Sequence, residues 1–349
     1  MRVAFRVDSS AAMGSGHLMR CVTLATVLKE RGVEVLFLSG DHEGNLNAWL
    51  QDKGFALCVI TKAIDSAQSN GSLSTDADQT AHAIGLERPE WLVVDHYGID
   101  IDWERRVRPC VERLMVIDDG TGRYHDCDIL LDQNYSEKDA ARYAGLVPRS
   151  CSMMLGTSYA LLRKDFGELR RKIQRLPRME NVLVFFTAGN DQGETLKALE
   201  GLVLYGRATQ VDVVIGSANP YIDAIKSRCD ELSWGYHCQV DYMPSLIAKA
   251  DLVIGAGGSS NWERCALGAP ALVTILADNQ AAIAAALDAA GAVRNLGWYT
   301  ALQSRDYADA LSALDVSDLA EMSAKAMKMV DGLGAIRVTD ALLIGAKNR

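Results

Sequence analysis

Short apolar runs alternate with segments of helical periodicity along almost the whole chain, and this alternation constrains the fold more than any other feature of the sequence. It is typical of a parallel β-sheet covered by helices. The runs fall into two series, the first at 3–7, 35–38, 56–60, 91–94, 114–117 and 129–131 and the second at 182–186, 211–215, 236–240, 252–254 and 271–275. A chain of 349 residues has room for about two domains. We therefore predict an α/β protein of two Rossmann-like domains, each with its own parallel sheet.

A polar stretch between the two series predicts the domain boundary. Residues 163–178 contain seven Lys or Arg residues, and Phe166 is their one aromatic neighbour, so a solvated linker helix is favoured over a nucleic-acid-binding arm. Residues 66–78, which are rich in Ser, Asp and Asn, are predicted to form a surface loop. The expected division is an N-terminal domain at 1–162, a linker at 163–178, a C-terminal domain at 179–325 and a helical tail at 326–349.

The charge balance and the apolar content exclude several classes of partner. The chain has 36 Lys and Arg residues against 45 Asp and Glu residues, a net charge of −9, which disfavours binding of nucleic acid or of an anionic membrane. No apolar run approaches the roughly 20 residues that span a bilayer, and Arg6 interrupts what would be the apolar core of a signal peptide. We therefore expect a cytoplasmic protein with a small-molecule ligand.

Metal and redox motifs are weak in this sequence. None of the eight cysteines forms a CxxC pair, and no HExxH or HxH is present. Asp100-Ile101-Asp102 and Asp126-Cys127-Asp128 match the DxD pattern with which glycosyltransferases hold a metal-bound nucleotide, but the former lies in an acidic loop and the latter begins a predicted strand. The prediction is a protein without a metal or a redox cofactor.

The turn after the first apolar run carries Gly14, Gly16 and His17, and residues with helical spacing follow from Leu18 onward. His17 is therefore predicted to lie at a helix N-terminus, at the sheet edge where α/β proteins bind ligands. The helix dipole disfavours an imidazolium there, which suits a neutral general base or a hydrogen-bond donor. The third glycine of a dinucleotide fingerprint and the Lys of a P-loop are both missing. The structural alternative is a capping histidine beside turn-forming glycines.

A second glycine turn follows the run at 252–254 and comprises Gly257, Gly258, Ser259 and Ser260. Such a turn directs several backbone N–H groups to one point and suits a phosphate. Glu263 lies about one helical turn further on, where its carboxylate can accept hydrogen bonds from ribose hydroxyls. The structural alternative is that Glu263 completes a capping box with Ser260.

Further polar residues follow predicted strands at the same edge. Asp95 and Tyr97 come after the run at 91–94, and Asn279 and Gln280 open a helix after the run at 271–275. Because the carboxyl ends of parallel strands border the ligand crevice, we expect these side chains to face the ligand. His96, between the first two, is more typical of a structural histidine.

These segments together resemble the PseG family, the hydrolases of UDP-2,4-diacetamido-2,4,6-trideoxy-β-L-altropyranose in pseudaminic acid biosynthesis, which is related to MurG-like glycosyltransferases of the GT-B fold. The resemblance covers roughly residues 1–295 and is carried by FRVDSSAAMGSGHLMRC, VVDHYGID, CDILLDQN, LVPRS, GTSYALLRKDF, DYMPSLIAKADLVIGAGGSSNWERCALGAPALV and ADNQ. It implies two Rossmann-like domains with the site in the cleft between them. It also implies removal of UDP without a metal or a redox cofactor.

The resemblance implies roles for individual residues. In the family the histidine of the GSGH turn is the proposed general base, which corresponds to His17, and the nucleotide-binding glutamate of the WERC segment corresponds to Glu263. The glycine turn at 257–260 would lie on the phosphate side. The DHYG, YALLR and NQ segments line the family's substrate site. The resemblance therefore implies that Tyr97, Arg163 and Asn279 line the substrate site here. Ala188 is a departure, because relatives have two adjacent glycines in this place.

The expected reaction is inverting hydrolysis of a UDP-sugar. His17 would take a proton from the attacking water, and the N–H groups of the 257–260 turn, with Arg163, would stabilise the leaving diphosphate. Two alternatives stay open at this point. One is a glycosyltransferase that uses an alcohol acceptor in place of water, and the other is a catalytically silent sugar-nucleotide sensor.

Overall fold

The structure is a computed structural model that describes residues 1–10, 13–61, 64, 70–119, 122–135, 139–176, 178–207 and 209–347. The chain divides into two compact units. The first is formed by Met1–Leu161 together with Leu333–Arg349, and the second by Leu162–Gly332. In the described part of the chain, no helix is both long enough and apolar enough to cross a membrane.

The first unit is built on a seven-stranded parallel sheet in the order β3-β2-β1-β4-β5-β6-β7. Its strands are β1 (Arg2–Val7), β2 (Glu34–Gly40), β3 (Ala56–Ile60), β4 (Trp91–Asp95), β5 (Arg113–Ile117), β6 (Ile129–Asp132) and β7 (Ser152–Leu155). The helices between them are α1 (Gly16–Glu30), α2 (Asn47–Asp52), α3 (Asn70–Glu87), α4 (Ile101–Val107) and α5 (Asp139–Arg142).

The second unit contains a six-stranded parallel sheet in the order β10-β9-β8-β11-β12-β13. Its strands are β8 (Asn181–Phe185), β9 (Gln210–Ile215), β10 (Gly235–Cys238), β11 (Leu252–Ala256), β12 (Ala271–Ile275) and β13 (Arg294–Trp298). Its helices are α6 (Lys164–Arg170), α7 (Glu194–Tyr205), α8 (Ile222–Leu232), α9 (Met243–Lys249), α10 (Ser260–Ala266), α11 (Asp278–Ala289), α12 (Ser304–Ser312) and α13 (Val316–Met329). The last helix, α14 (Gly334–Lys347), returns to the first unit.

Alternation along β1 shows how the first sheet is buried on both faces. Val3 and Phe5 pack with residues of α1 and α14, whereas Ala4 packs with the helices of the opposite face. Arg6 also points to that opposite face, where it is fully buried and pairs with Asp8 and Asp76. This interior strand is thus covered on both sides, as parallel sheets require.

The structure corrects the predicted loop at 66–78. Residues 65–69 lie outside the described part of the chain, but Asn70 begins α3, which continues to Glu87. Polar composition misled the prediction because α3 buries a carboxylate, that of Asp76, against Arg6 and the indole N–H of Trp103. Polar residues that would normally indicate a loop therefore form part of a helix–sheet contact.

The expected linker and tail are also corrected. Residues 163–178 belong to the second unit, where the guanidinium of Arg170 donates to the carbonyl groups of Ala266 and Met327. The predicted tail at 326–349 divides at 332/333, because α13 stays with the second unit while α14 packs on the core of the first. The prediction was wrong because the sequence alone does not distinguish basic residues that bind backbone carbonyl groups within a domain from those of a solvated linker.

Candidate active site

His17 and Asp95 form a hydrogen-bonded pair at the carboxyl end of the first sheet. Asp95 is the last residue of β4, and His17 is the second residue of α1, which follows β1. The His17 Nδ1 atom lies 2.7 Å from the Asp95 Oδ1 atom. The carboxylate is fully buried, whereas 18% of the histidine side chain is exposed. When Nδ1–H donates to Asp95, Nε2 keeps its lone pair, which is the tautomer that a general base needs.

Arg20 completes this pair and was missed in the sequence. Its Nε and one terminal nitrogen each lie 2.5 Å from an oxygen of Asp95. Burial alone would raise the pKa of Asp95, but the charge of Arg20, helped by His17, holds it well below its usual range. Arg20 is three residues after His17, a spacing that puts both side chains on one face of α1.

The structure corrects the expectation that Asp95 binds the substrate. Only 1% of the residue is exposed, and its oxygens already face His17, Arg20 and the thiol of Cys21. A ligand at the sheet edge therefore reaches Asp95 only through His17. We assign Asp95 to the positioning of the histidine.

The two glycines before His17 shape the turn. Gly14 has φ of 75° and donates its N–H to the Ser10 carbonyl at 2.9 Å, so its backbone conformation favours glycine. Gly16 is the first residue of α1. The N-cap of this helix is Ser15, so the alternative that His17 serves as the capping residue is wrong.

Tyr97 lies beside the histidine. Its ring meets the His17 ring edge-on with the centroids 4.7 Å apart, and 43% of the residue is exposed. The phenol O–H donates to Asp119, which follows β5, at 2.5 Å. Tyr97 thus has one side on the imidazole and another in solvent, as a substrate-contacting residue requires.

Several other polar residues of this edge have structural roles. His96 accepts the N–H of Gly98 on Nδ1 and directs Nε2 to Asp8, in agreement with its interpretation as a structural histidine. Of the two DxD segments, Asp100 caps α4, and Asp128 binds both Arg108 and the backbone N–H of Leu114. These polar side chains therefore have hydrogen-bond partners within the first unit.

The second glycine turn lies in the other unit, between β11 and α10. The N–H of Gly257 donates to the Thr274 carbonyl at 3.0 Å, but the part of the chain that the structure describes offers no acceptor to the N–H groups of Gly258, Ser259 and Ser260. A turn of this kind presents three adjacent donors to a ligand.

Gln280 adjoins this turn. Its Oε1 accepts the N–H of Leu276 at 3.0 Å, and its Nε2 lies 3.7 Å from the place that a Cβ atom on Gly258 would take. The amide group of Gln280 thus adds a donor beside the turn. Asn279 is exposed at the start of α11.

Glu263 is half-buried on α10, and the described residues give its carboxylate no hydrogen-bond partner. The capping-box alternative is wrong, since the N-cap is Ser259 and no side chain caps the helix. Burial raises the pKa of Glu263, and the nearby charges of Arg163 and Arg264 oppose that rise. A half-buried carboxylate with open acceptor sites is suited to accept hydrogen bonds from hydroxyl groups.

Arg163 and Tyr242 border a depression of about 430 Å³ in the second unit. The guanidinium of Arg163 donates to the Asp241 carbonyl at 2.8 Å, and Tyr242 is 47% exposed. Sequence reasoning identified Arg163 but not Tyr242, because no local pattern distinguishes Tyr242 from an ordinary loop tyrosine. This depression is large enough for part of a nucleotide.

The Ala188 departure lies after β8 in the same unit. The backbone passes so close to Gly216 that a Cβ atom there would meet the Ala188 carbonyl oxygen at 1.7 Å, whereas Ala188 itself is exposed. Gly216 therefore provides the close backbone approach at this point. Nothing in the structure explains the methyl group of Ala188.

No protein-family model matches the chain. Among curated proteins, the chain is 24% identical over 286 residues to the uncharacterized protein MJ1062 of Methanocaldococcus jannaschii, which covers 78% of this chain. It is 32% identical over 166 residues to the UDP-2,4-diacetamido-2,4,6-trideoxy-beta-L-altropyranose hydrolase of Campylobacter jejuni, which covers 48% of this chain. The matches span about half of those two relatives, 55% and 53% of their lengths. The spore coat polysaccharide biosynthesis protein SpsG of Bacillus subtilis is 22% identical over 98% of both chains.

Solved structures share the whole architecture. MurG of Acinetobacter baumannii has a TM-score of 0.70 at 13% identity and covers 98% of this chain and 99% of its own. UDP-GlcNAc 2-epimerase of Neisseria meningitidis bound to UDP-GlcNAc has a TM-score of 0.61 at 14% identity and covers 99% of this chain and 100% of its own. At such identities the likeness concerns the fold. The predicted GT-B-like pair of parallel-sheet α/β domains is confirmed.

Proposed function

We propose that this chain hydrolyses a UDP-linked diacetamido-trideoxy sugar to the free sugar and UDP, as a step of pseudaminic acid biosynthesis. The observation that carries the proposal is the His17–Asp95 pair at the carboxyl end of the first sheet. Similarity to the Campylobacter jejuni hydrolase supports the reaction, and similarity to SpsG supports a role in polysaccharide formation.

In this proposal His17 acts on water. Its Nε2 takes a proton as the water oxygen attacks the anomeric carbon, while the bond from that carbon to the diphosphate oxygen breaks on the opposite face. The configuration at the anomeric carbon is therefore inverted. Asp95 stays ionised and stabilises the imidazolium that forms. Tyr97 borders the same space and contacts the sugar.

The leaving UDP is held by residues of the second unit. The N–H groups of Gly258, Ser259 and Ser260, together with Gln280 and Arg163, stabilise the negative charge on the diphosphate, a role that needs donors fixed before the reaction. Glu263 accepts hydrogen bonds from the ribose hydroxyl groups. Asn279 contacts the sugar-phosphate end.

A glycosyltransferase is the second candidate, because MurG shares the fold. It would use the same nucleotide residues and an alcohol acceptor in place of water. A silent sugar-nucleotide sensor is disfavoured, because binding alone requires no ionised carboxylate beneath a histidine.

Incubation of the purified protein with a panel of UDP-sugars in ¹⁸O-labelled water tests the proposal. A hydrolase of the proposed type releases UDP without any acceptor and places ¹⁸O on the anomeric carbon of the sugar, whose configuration NMR then reports. Label in the UDP would indicate cleavage of the phosphorus–oxygen bond instead. Release of UDP only after an alcohol acceptor is added would establish the transferase, and binding without turnover the sensor.

A further inference from the structure

Arg264 lies beneath the second glycine turn. One terminal nitrogen of its guanidinium donates to the Ala256 carbonyl at 2.7 Å and to Asn261 Oδ1. Ala256 directly precedes the turn, and Asn261 directly follows it. The other terminal nitrogen, Nη1, is 2.9 Å from the place that a Cβ atom on Gly255 would take. The guanidinium therefore bridges the two ends of the turn from below.

This cation is buried without an ion pair among the described residues. Only 2% of Arg264 is exposed, and its Nε and Nη1 atoms have no hydrogen-bond partner in the described chain. None of the described carboxylates lies within ion-pair distance of it. Burial lowers the pKa of Arg264 to about 10, and the weaker influences of Cys265 and Glu263 oppose this shift.

Arg175 of the same unit provides the contrast. Burial also lowers its pKa to about 10, and it too lacks an ion pair among the described residues. Its guanidinium nitrogens, however, donate to the carbonyl groups of Leu267, Ala250 and Ile247. Arg175 is thus a satisfied structural arginine, whereas Arg264 keeps two donors unused.

An unpaired buried charge costs several kcal/mol of stability unless something compensates it. The 257–260 turn directly above Arg264 has three backbone donors that no described acceptor uses and that could receive an anion. A dianionic diphosphate bound there would face the guanidinium across the turn.

We propose that Arg264 is a positioning residue of the diphosphate site, which holds the turn in shape through Ala256 and Asn261 and supplies a buried positive charge to the bound diphosphate. The inference rests on the proposed function only in taking the turn as the diphosphate site. It predicts that the free protein is destabilised by this charge and that the bound diphosphate compensates for it.

The test compares Arg264→Met with Arg175→Met. For each variant, the unfolding midpoint in denaturant is measured without ligand, and affinities for UDP, inorganic pyrophosphate and uridine are measured by calorimetry. For Arg264→Met we expect an unfolding midpoint equal to or above that of the unchanged protein, together with about tenfold weaker binding of UDP and pyrophosphate and unchanged binding of uridine. For Arg175→Met we expect a lower midpoint and unchanged affinities.

Three other results are informative. A lower midpoint for Arg264→Met with equal loss of affinity for uridine and UDP would overturn the proposal, because it would indicate a structural role. Unchanged binding of UDP and pyrophosphate would also overturn it. If Arg264→Met does not fold, Arg264→Lys replaces it: retention of pyrophosphate affinity within about twofold supports the proposal, and a tenfold loss contradicts it. If the unchanged protein binds neither UDP nor pyrophosphate, the proposed function itself fails.

Discussion

Oδ1 of Asp95 accepts from two sides, since it lies 2.7 Å from Nδ1 of His17 and 2.5 Å from a terminal nitrogen of Arg20. The histidine is therefore tied to a carboxylate that already has a permanent cation as partner. This arrangement fixes the orientation of the ring and directs Nδ1 to the carboxylate.

Replacement of His17 by Ala tests the base directly. We expect kcat to fall by roughly 10² to 10⁴, the usual contribution of general-base assistance, while the affinity for UDP changes little because the residues that we propose for the nucleotide belong to the second unit. Single-turnover release of UDP measures the first quantity and calorimetry the second. Turnover near that of the unchanged protein would reject the assignment.

Replacement of Asp95 by Asn tests the carboxylate beneath the histidine. The variant leaves Arg20 without its buried partner, so we expect a loss of about 3–5 kcal/mol in the free energy of unfolding, in addition to a lower kcat. The double variant Arg20→Met, Asp95→Asn removes the orphaned charge and should recover part of the stability but not the activity. Additive losses of stability in the double variant would contradict the pairing. Chemical denaturation provides the measurement.

Replacement of Glu263 by Gln tests the nucleotide site. We expect weaker binding of UDP and of uridine alike, because both contain ribose hydroxyl groups, from which we propose that the carboxylate accepts hydrogen bonds. Since burial raises the pKa of Glu263, the unchanged protein should lose uridine affinity as the pH falls, beginning above the pH at which an ordinary glutamate is protonated. The variant should lack this pH dependence. An affinity loss confined to UDP would assign Glu263 to the diphosphate instead.

His125 predicts how stability depends on pH. Its ring lies 2.6 Å from Glu104 and 3.2 Å from Asp118. Burial alone would lower its pKa, but these carboxylates raise it to about 9. An unfolded histidine has a pKa of about 6.5, so the stabilisation is complete below that pH and is lost as the pH rises through 9.

The expected decrease in the free energy of unfolding over that range is at most about 3 kcal/mol. His125→Gln should remove this pH dependence, and His82→Gln, which changes an exposed histidine, should leave it intact. Equal slopes in His125→Gln and the unchanged protein would contradict the assignment. Denaturation curves at several pH values measure it.

The interior strands and the edge strands β3 and β10 were predictable from the sequence, whereas the edge strands β7 and β13 were not. Every predicted apolar run corresponds to a strand. The missed strands are β7, with two exposed residues at its start, and β13, which is half-exposed and contains Gly297. β7 and β13 bury little apolar surface, so they leave little hydrophobic periodicity to detect.

The two glycine turns of the candidate site were recognisable in the sequence, but the side-chain pairing around them was not. His17 and the turn at 257–260 were recognisable because a glycine turn after an apolar run is a local pattern. Arg20 pairs with Asp95 across 75 positions of sequence, and Arg264 is distinguished by the burial of its charge. Neither long-range pairing nor burial of a charge is encoded in local spacing.

The return of α14 to the first unit affects the order in which the chain can fold. Val338 and Leu342 complete the core beside α1, and the indole N–H of Trp91 donates to the Leu342 carbonyl. During translation the second unit is therefore fully synthesised before the first has received its last helix. Until that helix leaves the ribosome, the apolar face of α1 against which it packs stays uncovered.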